Sequence, residues 1–309
     1  MMPVGPTFKL RHARFFELGV HQPWETLSDS GPDPPIASMI CLHERKFLEY
    51  LTSRTYSGRG AVVDLGPLLG GSTYALLAGM KSGRVHAYDL WRYCSNWAGM
   101  VGEPLKVGAD LLPYFLKNLG SYAERVAVHK GDLLDAQWSG GPIEILFIDA
   151  AKSPELMLHI ADQFFPALLP GAYVMQQDWV SSTTPWIQIA MDLLSKYFEV
   201  MDSPEGGTVC FRVRCRIPRR ALDREYFHTD IAEDCFQRAI DELPDWHGLC
   251  VRLGEAVYWM GRGDGTRAMT ILQSVKSDSM YSDLRIGFDA DFVEGLLAQQ
   301  RVARIRQVI

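Results

Sequence analysis

The strongest constraint on the fold of this 309-residue chain is a regular alternation between short apolar runs and helix-like segments. Each run is short enough to be a strand, and the clearest one ends at an aspartate. Strands that alternate with helices favour a parallel sheet with right-handed crossovers and helices on both faces. The predicted parallel strands are 61–63, 85–88, 126–129, 143–148 and 172–176.

The end of this region has a different pattern. Two further apolar runs, Phe198–Met201 and Thr208–Phe211, flank the glycine- and proline-containing segment Ser203–Gly207. Strand-like runs on either side of such a turn indicate a hairpin. The sequence therefore predicts an α/β fold with a seven-stranded, mostly parallel sheet and an antiparallel terminal hairpin. We also expect a helix that ends at Pro170-Gly171, and helices over 36–53, 72–80 and 185–195.

Helical patterns replace strand patterns near Pro218. Apolar stripes typical of amphipathic helices lie within 227–239, 249–260, 268–275 and 288–296. We therefore divide the chain into an N-terminal arm over 1–35, a sheet domain over 36–217 and a small all-α domain over 218–309. The stretch from Phe236 to Ala268 resembles a single tetratricopeptide-like repeat. Three roles stay open for the helices: packing on the sheet domain, forming a homodimer, or docking a partner protein.

The segment Asp64–Thr73 is the most informative candidate for a binding site. Glycine at the end of a strand lets the backbone approach a ligand closely, and the next helix N-terminus offers free N–H groups to a carboxylate. With Asp64 placed to hold an ammonium group, the loop suits an amino-acid moiety. Pro67-Leu68 stands where the dinucleotide fingerprint has its second glycine, and the loop lacks the lysine of a P-loop. The alternative is a tight connection that binds no ligand.

Acidic residues follow four successive predicted strands: Asp64, Asp89, Asp132 and Asp149. The carboxyl ends of parallel strands meet at one edge, where open α/β sheets bind ligands. Asp89 is placed to accept hydrogen bonds from both ribose hydroxyls, and Asp132 to meet an adenine amino group. Four acids in succession favour a nucleoside-binding edge over four unrelated surface residues.

With this loop and these acids, residues 36–215 resemble a class I S-adenosylmethionine-dependent methyltransferase. Within that superfamily they are similar to the metal-dependent O-methyltransferases of the catechol, caffeoyl-CoA and macrocin types. The resemblance implies a Rossmann-like sheet with S-adenosyl-L-methionine as cofactor. The residues it implies around the methionine moiety are Asp64, Gly66, Gly70, Gly71, Ser72 and Thr73. The residues implied around the nucleoside are Asp89, Leu90, Asp132, Leu133 and Asp149.

The resemblance also implies a catalytic group. Asp149 and Lys152 match the Asp-x-x-Lys of catechol-type enzymes, in which the aspartate binds Mg²⁺ and the lysine is the general base. Gln177 and Asp178 follow the fifth strand, so Asp149, Gln177 and Asp178 form the implied oxygen-ligand set for Mg²⁺. Gln177 stands in place of an acid and removes one charge, while Ala151 replaces the acid of macrocin-type enzymes. The alternative is a solvated Lys152 and a simple cap at Asp178.

These residues predict an enzyme that O-methylates a hydroxyl of a small molecule, for example a natural product, sugar or phenol, with help from a divalent metal and a lysine base. Two alternatives stay open. One is a metal-free N- or C-methyltransferase on the same fold. The other is a catalytically silent donor-binding protein that acts through its helical domain. The acceptor itself depends on loop shape and cannot be read from these motifs.

Charge and composition disfavour other classes. The net charge is −6 and no long Lys/Arg run occurs, so we expect no nucleic-acid partner. The most basic stretch, Arg212–Arg220, alternates at first with apolar residues and is interpreted as the solvated face of a strand. None of the six cysteines forms a CxxC pair, which favours reduced thiols in a cytoplasmic protein. No run of about 18 apolar residues occurs, so we expect a soluble protein without a membrane span.

Overall fold

The computed structural model describes residues 36–94, 100–101, 103–202, 207–228, 232–242, 245–278, 290–291 and 293–299. The N-terminal arm predicted over 1–35 lies outside these residues, as do Phe288 and Phe292 of the last apolar stripe. The described residues group into two compact units. We call them the sheet unit, the described parts of Arg11–Gln177 and Lys196–Leu222, and the helical unit, those of Asp178–Ser195 and Asp223–Ile309.

The sheet unit contains seven strands in the order β3-β2-β1-β4-β5-β7-β6. The first five pair in parallel, and β7 is antiparallel to both of its neighbours. This sheet confirms the predicted Rossmann-like α/β fold class. The strands are β1 Ala61–Leu65, β2 Val85–Asp89, β3 Val126–Lys130, β4 Ile143–Ile148, β5 Leu168–Gln176, β6 Phe198–Asp202 and β7 Val209–Val213.

Helices connect these strands and continue beyond them. In chain order they are α1 Leu42–Thr55, α2 Gly71–Gly79, α3 Leu112–Leu119, α4 Pro154–Gln163, α5 Pro185–Leu193, α6 Ala232–Glu242, α7 Asp245–Gly261 and α8 Gly265–Lys276. Short 3-10 turns lie at Gly120–Arg125, Leu133–Asp135, Phe165–Ala167 and Tyr226–His228. No helix among the described residues is both long and apolar enough to cross a membrane.

Two predicted helix limits were wrong. The helix expected from residue 36 begins at Leu42, because Glu44 folds back and its Oε2 accepts a hydrogen bond from the Cys41 backbone N–H at 2.8 Å. Its other oxygen accepts from the Gly207 N–H and the Thr208 hydroxyl, which fixes this start beside β7. Pro170-Gly171 does not end a helix. The pair lies within β5, and α4 has already ended at Gln163.

The two central strands form the core of the sheet unit. Every residue of β4 is buried, as are Val62–Leu65 of β1. Strands with helices on both faces are buried on both sides, which explains their continuous apolar runs. One layer of apolar side chains, including Phe47 and Leu76, packs below these strands, and a second layer is built around Trp91 and Phe115.

The core also contains a carboxylate, Glu144 of β4, which is 4% exposed. Its Oε1 accepts hydrogen bonds from the N–H and hydroxyl of Ser57, both at 2.7 Å. Its Oε2 accepts from the N–H groups of Arg59 and Gly60 at 3.0 and 3.3 Å. A buried carboxylate is tolerated only when its oxygens are satisfied in this way. Glu144 therefore fixes the loop that leads into β1.

In the helical unit, α7 packs against both α6 and α8. Tyr258 of α7 makes edge-to-face contacts with Phe227 and Phe236. The Arg238 guanidinium donates to both carboxylate oxygens of Asp192, at 2.8 and 2.6 Å, and so joins α6 to α5. Bidentate pairs of this kind add geometric specificity as well as attraction. The chain segment that holds α5 therefore packs with the C-terminal helices, although β6 and β7 follow it in sequence.

Candidate functional site

A cavity of about 320 Å³ lies in the sheet unit where β1, β2, β3 and β4 end. We call it the carboxyl-edge cavity. Four predicted site residues from four different strand ends line it: Gly66, Asp89, Asp132 and Asp149. The sheet order places β1 between β2 and β4, so the cavity sits at the switch point of the sheet, where open α/β folds bind ligands. Its volume falls in the range of small-molecule sites.

The glycine loop has the backbone geometry that the sequence predicts. Gly66 has a φ of 91°, and a Cβ there would stand 2.8 Å from the backbone oxygen of Asp149. Gly70 has a φ of 102° and caps the N-terminus of α2. A side chain at either position would be strained, since left-handed backbone is favourable mainly for glycine. The loop can therefore turn tightly from β1 into α2.

Asp64 lies below this loop and is fully buried. Its Oδ2 accepts hydrogen bonds from the hydroxyls of Ser72 and Thr73, at 2.8 and 2.6 Å. Its Oδ1 has no hydrogen-bond partner among the described residues. Burial raises the pKa of Asp64 to about 7, and the two hydroxyl hydrogen bonds oppose that rise. The carboxyl group thus ties the end of β1 to the first turn of α2.

The residues predicted to surround the methionine moiety fall into two groups. Gly66 and Ser72 line the cavity, and the main chain brings Pro67 and Leu68 there as well. The other described residues of this set lie behind the wall and do not line the cavity; they are Asp64, Gly70, Gly71 and Thr73. Gly71 has a packing reason for its small size, since a Cβ would lie 2.4 Å from the Ser38 hydroxyl oxygen.

Asp89 ends β2 and connects it to the glycine loop. Its Oδ2 accepts from the Leu68 N–H at 3.0 Å and its Oδ1 from the Trp91 N–H at 2.6 Å. Burial raises the pKa of Asp89, while backbone hydrogen bonds lower it. The Trp91 indole donates to the Leu68 carbonyl at 3.0 Å and is fully buried. Each carboxylate oxygen can accept a second hydrogen bond, so Asp89 is held in place yet able to bind a ligand.

The end of β3 contributes one polar and one apolar group. Asp132 caps a 3-10 turn and accepts from the Leu134 N–H at 2.9 Å. Leu133 is 8% exposed, while Leu90, after Asp89, is 45% exposed, and both line the cavity. This combination of a carboxylate with apolar walls suits a flat ring that carries an amino group.

Asp149 and Lys152 form an ion pair at the end of β4. The Lys152 ammonium stands 2.8 Å from the Asp149 Oδ1, and the two side chains are 54% and 18% exposed. Both residues line the cavity. A lysine in such an ion pair is an ammonium group, so a role as general base needs it to leave Asp149 and lose a proton first.

The predicted metal ligands follow two neighbouring strands. Ile148 of β4 is in register with Gln176 of β5, so Asp149 and Gln177 come directly after paired positions. The Gln177 Oε1 is buried and has no hydrogen-bond partner among the described residues. Asp178 belongs to the helical unit, with a φ of 62°. The described residues contain no group of three or more His, Cys, Asp or Glu side chains able to hold a metal ion. The metal set stays a prediction.

Several residues of the cavity were missed in the sequence. Ala37–Ile40 line it, although the pattern placed them in a helix. Met39 is 67% exposed and offers an apolar side chain at the cavity wall, which only the structure reveals. Tyr88 and Leu156 also line the cavity.

Tyr88 belongs to a stack of rings on the outer strands. Its ring lies parallel to that of His129, 4.1 Å between centroids. The ring nitrogens of His129 and His86 are 3.1 Å apart. Burial lowers the pKa of both histidines. These contacts pack His86 against its neighbours on the sheet.

Comparison with known proteins finds remote similarity. No protein-family model and no curated protein matches the chain. Among solved structures it is similar to the O-methyltransferase NovP, at 16% identity over 58% of this chain and 83% of that one, with a TM-score of 0.45. It is also similar to CalS11, a TDP-rhamnose 3′-O-methyltransferase of calicheamicin biosynthesis, at 14% identity over 66% and 93%, with a TM-score of 0.43. Cofactor-bound Rv0187 from MTB matches at 18% identity over 69% and 92%, with a TM-score of 0.40.

Proposed function

We propose that the chain is an S-adenosyl-L-methionine-dependent methyltransferase that acts on a small molecule. The observation that carries this proposal is the carboxyl-edge cavity, into which the glycine loop, Asp89 and Asp132 converge from three strand ends. Each of these groups suits one part of the methyl donor.

The donor's amino-acid end fits the start of α2. That helix begins at Gly71 with free backbone N–H groups, which attract a carboxylate. The Ser72 hydroxyl lines the cavity there while it donates to Asp64. The ribose hydroxyls fit Asp89, whose oxygens keep acceptor capacity. The adenine fits Asp132 and the apolar side chain of Leu133.

The chemistry belongs at the end of β4. Methyl transfer is an in-line displacement, so the enzyme has to align the acceptor oxygen with the methyl group and remove the hydroxyl proton. Lys152 is the candidate base: its ammonium would leave Asp149 and release a proton to solvent, and the neutral amine would then take the hydroxyl proton. Opening of the ion pair would thus couple acceptor binding to activation of the base.

A divalent cation fits part of this site. The Asp149 carboxylate and the unpartnered Gln177 carbonyl follow paired strand positions, and hard cations prefer such oxygen ligands. Asp178 is the third proposed ligand. A cation bound there would orient the acceptor hydroxyl and favour its deprotonation.

A second candidate function is metal-free N- or C-methylation. The observation that favours it is the closed Asp149–Lys152 ion pair, which occupies both the metal-binding carboxylate and the base. An amine or carbon nucleophile that needs no proton removal by Lys152 would react by alignment alone.

Calorimetry with S-adenosylhomocysteine tests the donor site. We expect wild-type protein to bind it, and Asp89→Ala to weaken binding by about 10- to 100-fold, because a charged hydrogen-bond acceptor is removed. The matched control is Asp135→Ala, which removes an exposed acid from the 3-10 turn beside the cavity. A folded wild-type protein that binds no S-adenosylhomocysteine would contradict the proposal.

A panel of phenols, sugars and amines, assayed with and without EDTA, separates the two candidate functions. Loss of turnover in EDTA supports metal-assisted O-methylation. Methylation of an amine that is insensitive to EDTA supports the second candidate.

A further inference from the structure

A second cavity lies at the opposite edge of the same sheet. It has a volume of about 790 Å³ and is lined by Trp138, Gln163, Tyr197, Arg216 and Arg219, among others. We call it the basic cleft. Its wall also includes Gly141, just before β4, and Ala167, just before β5. These positions place it at the amino ends of the parallel strands, away from the carboxyl-edge cavity.

The charge of the cleft comes from two arginines that follow β7. The interpretation of Arg212–Arg220 as a solvated strand face fits Arg212, which is exposed between buried Phe211 and Val213. Arg216 and Arg219 lie beyond the strand and line the cleft. Within the described part of the chain, neither guanidinium forms an ion pair or a side-chain hydrogen bond.

Two other arginines of the described chain do have acidic partners. Arg238 pairs with Asp192, and Arg267 pairs with Glu233. Two unpaired guanidiniums three positions apart give this cleft a local positive charge that attracts an anion. Arginine is also the side chain best suited to bind phosphate oxygens with two parallel hydrogen bonds.

The aromatic part of the cleft is held in a fixed orientation. The Trp138 indole donates to the Gly141 carbonyl at 2.7 Å. Its ring lies so close to Gly140 that a Cβ there would be 2.5 Å from it. Tyr197, directly before β6, lines the same cleft, and its backbone carbonyl accepts a hydrogen bond from the Arg214 N–H at 2.8 Å. Such rings stack on nucleobases at a gain of about 1–3 kcal/mol per base.

We propose that the basic cleft binds a nucleoside monophosphate. Its phosphate would lie against Arg216 and Arg219, and its base against Trp138 or Tyr197. The Ser139 hydroxyl and the Gln163 amide supply polar groups for the sugar. This site is separate from the proposed donor site and does not depend on it.

Calorimetry with UMP tests the proposal, since a pyrimidine nucleotide lacks the adenine expected in the carboxyl-edge cavity. We expect UMP to bind, and uridine and inorganic phosphate each to bind at least about tenfold more weakly, because each lacks one half of the interaction. Added NaCl should weaken UMP binding and leave uridine binding unchanged.

Paired variants locate the bound nucleotide. The double variant R216A/R219A should bind UMP about tenfold or more weakly, whereas R212A/R214A removes the same charge outside the cleft and should bind like wild type. Thermal unfolding checks that both variants are folded. The proposal is overturned if wild type does not bind UMP at millimolar concentration, if salt has no effect, or if R212A/R214A loses as much affinity as R216A/R219A.

Discussion

The two edges of the sheet differ in how their cavities are built. At the carboxyl edge, the polar groups are carboxylates held by backbone N–H groups, as Asp89 is held by Leu68 and Trp91. At the amino edge, the polar groups are the exposed guanidiniums of Arg216 and Arg219, beside aromatic rings. One cavity is formed by strand ends and the other by loops.

This difference shows why one edge was visible in the sequence and the other was not. Each of the acids stands at or just after the end of a predicted strand, so together they form a pattern. The cleft residues come from segments far apart in the chain, 138–141, 163–167, 197 and 216–219. A row of rings connects the two regions, from Tyr88 at the carboxyl-edge cavity through His129 and His86 to Trp138.

The largest expected effect concerns the chemistry that we assign to the carboxyl edge. Lys152→Ala should lower kcat with a hydroxyl acceptor by about 100- to 10,000-fold, the usual contribution of a general base. Steady-state kinetics with the identified acceptor measures it. Lys130→Ala, which removes an exposed lysine paired with Asp110, is the control and should keep full activity. Unchanged turnover in Lys152→Ala, and also in EDTA, would rule out O-methylation assisted by a metal and Lys152 and favour the second candidate function.

The next effect tests how much the buried carboxylate at the amino edge of the sheet stabilises the fold. Glu144→Ala should lower the free energy of unfolding by about 2–4 kcal/mol, because donors of Ser57, Arg59 and Gly60 lose their shared charged acceptor. Urea unfolding measures this change. Glu124→Ala, in an exposed position, should be nearly neutral. Equal stability of the two variants would show that the buried carboxylate contributes little.

A third, smaller effect separates the cost of close packing at Gly66 from the cost of a strained backbone. Gly66→Ala and Gly58→Ala both place alanine at a positive φ, 91° and 79°, but only the first Cβ meets another atom within 4 Å. We expect Gly66→Ala to be less stable than Gly58→Ala by about 1–3 kcal/mol, the usual cost of overpacking. It should also bind S-adenosylhomocysteine more weakly. If the two variants behave alike, the close approach of Gly66 to Asp149 has no role.

The last effect is a pH dependence due to Asp64. Its pKa rises from 3.8 to about 7 in the folded protein because it is buried. Between these values the folded state keeps a proton that the unfolded state releases, so stability falls as pH rises towards 7 and then levels off. Urea unfolding at about pH 5 and about pH 8 should show this fall in wild type and in the exposed-acid control Asp135→Asn, but not in Asp64→Asn. The same fall in Asp64→Asn would place the titrating group elsewhere.

Much of the sheet was predictable because local pattern and tertiary position agree there. Residues 143–148 are apolar apart from Glu144, and they form β4 with the predicted limits. The helix start at Leu42 was not predictable from periodicity, because it depends on Glu44, whose oxygens also bind Gly207 and Thr208 more than 160 positions away. Pro170-Gly171 was misassigned because a proline and a glycine that usually end a helix here lie inside a strand.

The candidate site shows the same division. The chain order of strands, glycines and acids is enough to place Gly66, Asp89, Asp132 and Asp149 at a common edge, since parallel strands end on the same side. Side-chain direction and pairing depend on neighbours that are distant in sequence. Packing alone decides that Ser72 lines the cavity while Asp64 lies buried behind it, and that Met39 stands at its wall. Local residue patterns predict where strands and helices lie, because each element repeats its apolar positions along the chain. Burial and contacts between loops arise only when the whole chain is folded.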